Sequence, residues 1–127
     1  MFFMKIELPI YHQVTHYKKI LVGLNWYRNA NHFESNAVKN YYHNYISMLL
    51  LKEKQLFTKI HVTYTIYAKT TNTDGPNVRS VIEKFFLDAL KECGNIKDDN
   101  VKIVVSDSSS YFIDKYNPRA IIEVSQV

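Results

Sequence analysis

Met4, Ile6 and Leu8 alternate with Lys5 and Glu7 until Pro9 interrupts them, the two-residue period of a strand with one buried face. From Tyr11 to Phe33 no period persists. The stretch mixes aromatic, Asn and basic residues and reads as a long loop with some extended structure, a length that points to function in a compact domain. Ser35 stands as a cap for a helix in which Val38, Tyr41, Tyr42, Tyr45, Ile46, Leu49 and Leu50 recur at the i, i+3, i+4, i+7 spacing. Ile60, Val62, Tyr64, Ile66 and Ala68 then alternate with His61, Thr63, Thr65 and Tyr67, a second strand in β-branched and aromatic company. Tyr41, Tyr42, Tyr45 and Tyr64 are all expected on buried faces.

After the polar stretch Lys69 to Pro76, helical spacing returns in Val78, Val81, Ile82, Phe85, Phe86, Ala89, Leu90 and Cys93, with Gly94 as the stop. Val101 to Val105 and Ala120 to Val124 are β-branched runs that read as two closing strands, separated by the Ser/Asp/Asn/Pro-containing segment Asp107 to Arg119. The order β, loop, α, β, α, β, β predicts an α/β (α+β) fold. It would be a small mixed β-sheet with two main amphipathic helices, in one domain spanning residues 1–127.

Composition narrows the function classes. The 46% apolar and 22% charged residues give little support to a disordered tail or a membrane protein. The longest apolar run, Met48 to Leu51, is far short of the ~20 residues of a membrane helix. The opening Met1 to Ile10 is broken by Lys5, Glu7 and Pro9 and so lacks the apolar region of a signal peptide. Cys93 is the only cysteine, which suits a reducing compartment and a cytoplasmic location. A net charge of +4 and a pI near 9.1 fit a polyanionic partner without requiring one. Gly23, Gly75 and Gly94 are too dispersed for a phosphate-cradling loop, so no nucleotide cofactor is expected. His12 and His16 have no Cys or carboxylate at ligand spacing to complete a zinc site.

The informative stretch is Asp74-Gly75-Pro76-Asn77 at the mouth of the second helix, continued by Lys84, Leu87-Asp88-Ala89-Leu90, Gly94 and Lys97-Asp98-Asp99-Asn100. Each piece has an ordinary reading as turn, cap or solvated position. Together they resemble the C-terminal half of the RusA-like Holliday junction resolvases. Phage-type members are similar in their Lys-Phe-x-x-Asp-Ala-Leu helix and Ile-x-Asp-Asp-Asn exit. Asn25-Trp26-Tyr27-Arg28-Asn29-Ala30 looks like the Asn-Trp-Tyr-Arg-Asn-Ala loop of the same family.

The resemblance implies a Mg²⁺-dependent endonuclease, with Mn²⁺ as an alternative ion, that acts as a homodimer and cuts four-way junctions or other branched DNA by paired nicks. Asp74, Asp98 and Asp99 match the family's metal-binding and catalytic acids, Lys84 its helix lysine and Asn77 its motif asparagine. A divalent ion held by two or three carboxylates would neutralise phosphoryl oxygens and activate a water, and Lys84 would stabilise developing charge. Lys18, Lys19, Arg28, Lys69, Arg79, Lys97 and Arg119, beside Asn77, are candidates for contact with DNA. Pro76 stands where the shorter members have a second aspartate and offers no ligand. It motivates a second expectation, a catalytically inactive DNA-binding or assembly protein on the same fold. A module unrelated to DNA has only the aromatic richness in its favour.

Helix length adds a geometric condition. An unbroken helix from Asn77 to Cys93 is ~25 Å long and the residues from Gly94 to Asp98 return only ~14 Å, which leaves the acids about 10 Å apart. Either the helix starts late, near Ser80, or the acids meet across a dimer.

Overall fold

The computed structural model describes residues 3–127; Met1 and Phe2, included in the reading of the opening segment, lie outside them. A four-stranded sheet has the order β1 (Phe3–Pro9), β6 (Arg119–Gln126), β4 (Ile60–Ala68), β5 (Val104–Ile113). Neighbours are antiparallel except β4 and β5, which run parallel. The fold is therefore mixed α+β, as expected. A separate hairpin pairs β2 (Tyr11–Thr15) with β3 (Lys18–Leu21). Three helices complete it: α1 (Leu24–Asn29), α2 (His32–Leu49) and α3 (Gly75–Glu92).

The alternation read from β4 holds without exception: Ile60, Val62, Tyr64, Ile66 and Ala68 are buried, and the residues between them are half-buried. These side chains meet α3, whose Val78, Val81, Ile82, Phe85, Phe86, Leu87, Ala89 and Leu90 are all buried. Val38, Tyr42 and Ile46 of α2 join the same core. Each such side chain removed from water contributes roughly 1.5–3 kcal/mol, so this cluster is the main source of stability. The Tyr42 hydroxyl donates to the Pro9 carbonyl at 2.5 Å, fixing α2 to the end of β1; burial pushes that phenol well above its ordinary pKa.

Helix ends follow from capping chemistry. α3 ends as expected at Gly94, whose φ of +82° lies in the left-handed region that a glycine adopts without strain. The Asn95 amide donates to the Leu90 carbonyl at 2.9 Å and the Gly94 amide to the Lys91 carbonyl at 3.2 Å, the paired bonds of a Schellman turn. At its start, the Asp74 carboxylate accepts from the Asn77 amide. α3 thus begins at Gly75, and the late start near Ser80 is overturned.

Other expectations need correction. The stretch from Tyr11 to Phe33 is not a long loop but the β2–β3 hairpin, α1 and the start of α2. α2 is capped by Asn31, whose side chain accepts from the Glu34 amide at 2.9 Å, one turn earlier than the Ser35 cap. Tyr41 and Tyr45 face solvent rather than the core, because only the Val38–Tyr42–Ile46 stripe of α2 points inward. Residues 101–103 are turn, and β5 runs through residues 107–113, part of the segment expected to separate the last two strands.

Candidate functional site

Two sequence segments that carried the resemblance, nearly fifty residues apart, meet at the mouth of α3. Leu24, Asn25 and Trp26 of α1, Ile20 and Leu21 of β3, and Asp74, Asn77 and Val78 line one cavity of about 310 Å³. α1 is held there by Trp26, whose indole N–H donates to Glu34 at 2.7 Å, and Lys18 donates to the other oxygen of the same carboxylate at 2.8 Å. These two hydrogen bonds hold the Glu34 carboxyl below the usual range. Gly23 packs against Val78, where an added Cβ would lie 3.6 Å from the valine side chain, so α1 sits directly on the first turn of α3.

Asp74 is exposed and closes a local ring with Asn77, whose side-chain amide donates to it at 2.6 Å. Pro76 occupies the first turn, where its missing N–H costs nothing. Gly75 is buried under the Tyr111 ring of β5, and a Cβ there would stand 2.3 Å from a ring carbon. The start of α3 is therefore wedged between α1 and the far end of β5.

The distal acids lie elsewhere. Asp98 accepts from the Asp99 amide at 2.8 Å and from the Asn100 side chain at 3.1 Å, and pairs with Lys91 of the last turn of α3 at 3.5 Å. The amide of Asp99, with the Lys91 charge beside it, holds the Asp98 carboxyl below its ordinary pKa. Because Asp74 precedes the first residue of α3 and Asp98 touches its last turn, the two are separated by about 25 Å of helix. No group of three or more acid, His or Cys side chains able to hold a metal exists among the described residues. Within one chain, the donors implied by the resemblance do not fit a shared divalent ion.

The basic candidates divide into two kinds. Arg79 is bound inside the fold: it pairs with Glu83 at 2.7 Å and Asp107 at 3.0 Å and lies 4.7 Å from the centre of the Tyr64 ring. Burial, with Asp107 adding to it, raises the Glu83 carboxyl despite Arg79. Arg119 pairs with Glu7 and Asp114, both at 2.9 Å, and stacks 4.0 Å from the Tyr67 ring. Their guanidinium groups hold strands and turns together. Lys84 leans towards Asp88 at 3.8 Å on the helix surface, two turns before Lys91, the residue that pairs with Asp98.

Arg28, Lys69 and Lys97 are exposed and make no ion pair among the described residues. Lys69 converges with Lys19 and Lys115 around a depression of about 290 Å³ that Tyr11 and Tyr116 also line. Lys69 opens the β4–α3 connection that ends at Asp74. Lys115 went unnoticed in the sequence; its place in the turn between two closing strands was the available signal.

No protein-family model matches the chain, and no curated protein matches it either.

Proposed function

We propose that this protein is a structure-selective endonuclease that binds branched DNA as a homodimer and depends on Mg²⁺ or Mn²⁺ for cutting. The observation that supports it is the junction at the mouth of α3. The Asn25–Trp26 segment and the Asp74–Asn77 segment, which carried the resemblance independently, line one cavity. The Lys19, Lys69 and Lys115 cluster, reached from the same β4–α3 connection, supplies the cationic surface that a DNA backbone needs and makes binding salt-dependent. Twofold symmetry in a dimer would match the near-twofold symmetry of a four-way junction and place equivalent sites on opposing strands.

A second reading is a non-catalytic DNA-binding or assembly protein. It is favoured by Pro76 and by the separation of Asp74 from Asp98 and Asp99 along α3. Incubation with a synthetic four-way junction and either ion, beside an Asp99→Asn variant, separates the two. Paired nicks by the parent and none by the variant are expected; an intact but bound junction with both ions selects the second reading.

A further inference from the structure

The lysines around the depression of about 290 Å³ come from three different strands or their ends. The Asp114 amide donates to the Ala68 carbonyl at 2.7 Å, so the chain leaving β5 runs beside the chain leaving β4. The next residue of each, Lys115 and Lys69, enters the same depression. Lys19 comes from the β2–β3 hairpin, where its ammonium lies 5.7 Å from the centre of the Tyr11 ring. The space is about ten times the ~30 Å³ that one molecule occupies in liquid water, enough for a group far larger than a solvent molecule.

Lys19, Lys69 and Lys115 have no carboxylate partner among the described residues. The acid next to them, Asp114, is engaged elsewhere: it accepts from the Tyr116 and Asn117 amides at 3.2 and 3.1 Å and pairs with Arg119 at 2.9 Å. Those bonds have two effects. They direct the Asp114 charge to Arg119, so the charge of Lys115 stays uncompensated. They also fix the turn from Asp114 to Asn117 with the Tyr116 side chain standing out of the surface, 90% exposed. The Lys115 ammonium lies 5.9 Å from the centre of that ring. A single exposed tyrosine needs no explanation. Set beside three uncompensated cations, it matches the second half of a ligand whose first half is a phosphate: the cations attract the phosphate, and the open ring face takes a base.

We propose that this depression binds an unpaired nucleotide, its phosphate among Lys19, Lys69 and Lys115 and its base stacked on Tyr116. The ring decides the form of strand. In a duplex both faces of a base are covered by its neighbours, so a duplex brings phosphates to the lysines but no free face to Tyr116. An unpaired strand brings both. Branched DNA that carries a flap or a gap where its arms part supplies such a strand. Lys69 opens the connection that ends at Asp74, so the bound nucleotide would lie no more than ~18 Å of chain from the mouth of α3. The inference rests on the nucleic-acid part of the endonuclease reading and is independent of cutting.

Fluorescence anisotropy in the presence of EDTA tests this without metal or cutting. The probes are a labelled thymidine homopolymer of about ten nucleotides, a common site size for such surfaces, the same polymer with abasic sugars throughout, and a duplex of equal length. Tyr116→Ala should weaken binding of the homopolymer at least about tenfold, the effect of losing one stacked base, and leave the abasic polymer and the duplex unchanged. Tyr116→Phe should bind like the parent. Because the side chain is exposed, thermal melts of both variants should match the parent. Lys69→Gln and Lys115→Gln should weaken both single-stranded polymers alike, each lowering the slope of log K against log salt by about 0.7. Equal Tyr116→Ala losses on thymidine and abasic polymers, or no loss on either, would overturn the stacking. An equal loss on the duplex would overturn the preference for an unpaired strand, and salt slopes unchanged in both lysine variants would overturn the phosphate site. The expected binding pattern in a protein that leaves a four-way junction intact with both ions would remove the endonuclease and keep this inference. Junction nicking by a Tyr116→Ala variant whose homopolymer affinity equals the parent's would do the reverse.

Discussion

The two edges of the sheet are built in opposite ways. β1 is seven residues long, carries Lys5 and closes on Pro9, which has no N–H to offer. A groove of about 730 Å³ separates its edge from Tyr41, Tyr45 and Leu49 of α2, while Arg119 ties its Glu7 to Asp114. β5 has no Pro, Lys or Arg and is longer, with a serine-rich centre between two apolar ends, and its one irregularity is a register shift at its start, where Val104 and Ser106 pair with Ile60 and His61. The difference teaches where a second strand can add: the guarded edge discourages pairing and the bare one invites it.

The largest effect expected from this contrast is on association. Ser108→Lys would place an ammonium group at the middle of the bare edge, where a charge discourages the addition of a strand. Sedimentation should show dimerisation weakened by at least about tenfold, or about 1.4 kcal/mol, with junction nicking falling in parallel. Lys5→Ala on the other edge should leave the association constant unchanged. If both variants dimerise like the parent, the edges are equivalent and the contrast carries no function.

A smaller effect is expected where β5 touches α3. The Cβ of Gly75→Ala would meet the Tyr111 ring at 2.3 Å, so the ring must move, at a cost of about 1–3 kcal/mol typical of overpacking. Gly75→Ala combined with Tyr111→Ala removes the clash, and thermal melts should show the double variant recovering part of the loss. A Gly75→Ala variant as stable as the parent would mean that the ring does not hold this joint.

The same contrast explains what the sequence revealed. β4, β6 and both long helices bury one face against a common core, and burial writes its period into the residues: two in Ile60 to Ala68, near 3.6 in Val78 to Leu90. β5 has no fully buried face, so nothing enforces alternation, and its Ser106–Ser110 centre looks like a connection. The β2–β3 hairpin, α1 and the link between them place only Ile20 and Val22 among the buried apolar residues, too few positions to set a period. Of the candidate site, the Asp74 and Asn25–Trp26 segments were legible as motifs, and the length of α3 already implied that the acids stand apart. That Arg79 and Arg119 are bound inward was not, because an arginine paired across strands has the same letters around it as one in solvent.

The smallest effect concerns the charge pairing that guards β1, and its sign can be worked out. The Asn117 amide, and then the Arg119 guanidinium, hold the Asp114 carboxyl below its ordinary pKa. A carboxyl depressed in the folded state contributes stability above its unfolded pKa of about 3.9, and that contribution disappears as pH falls through the folded value. Asp114→Asn keeps the turn but removes the charge, so its melting temperature should lie below that of the parent at neutral pH. The gap should close as the pH is lowered past 4 towards 2. Added salt should narrow the gap at neutral pH, since the pair is solvent-accessible and screened. A gap that stays constant across this range would assign the loss to turn geometry, and the charge on Asp114 would then have no part in holding Arg119 against β1.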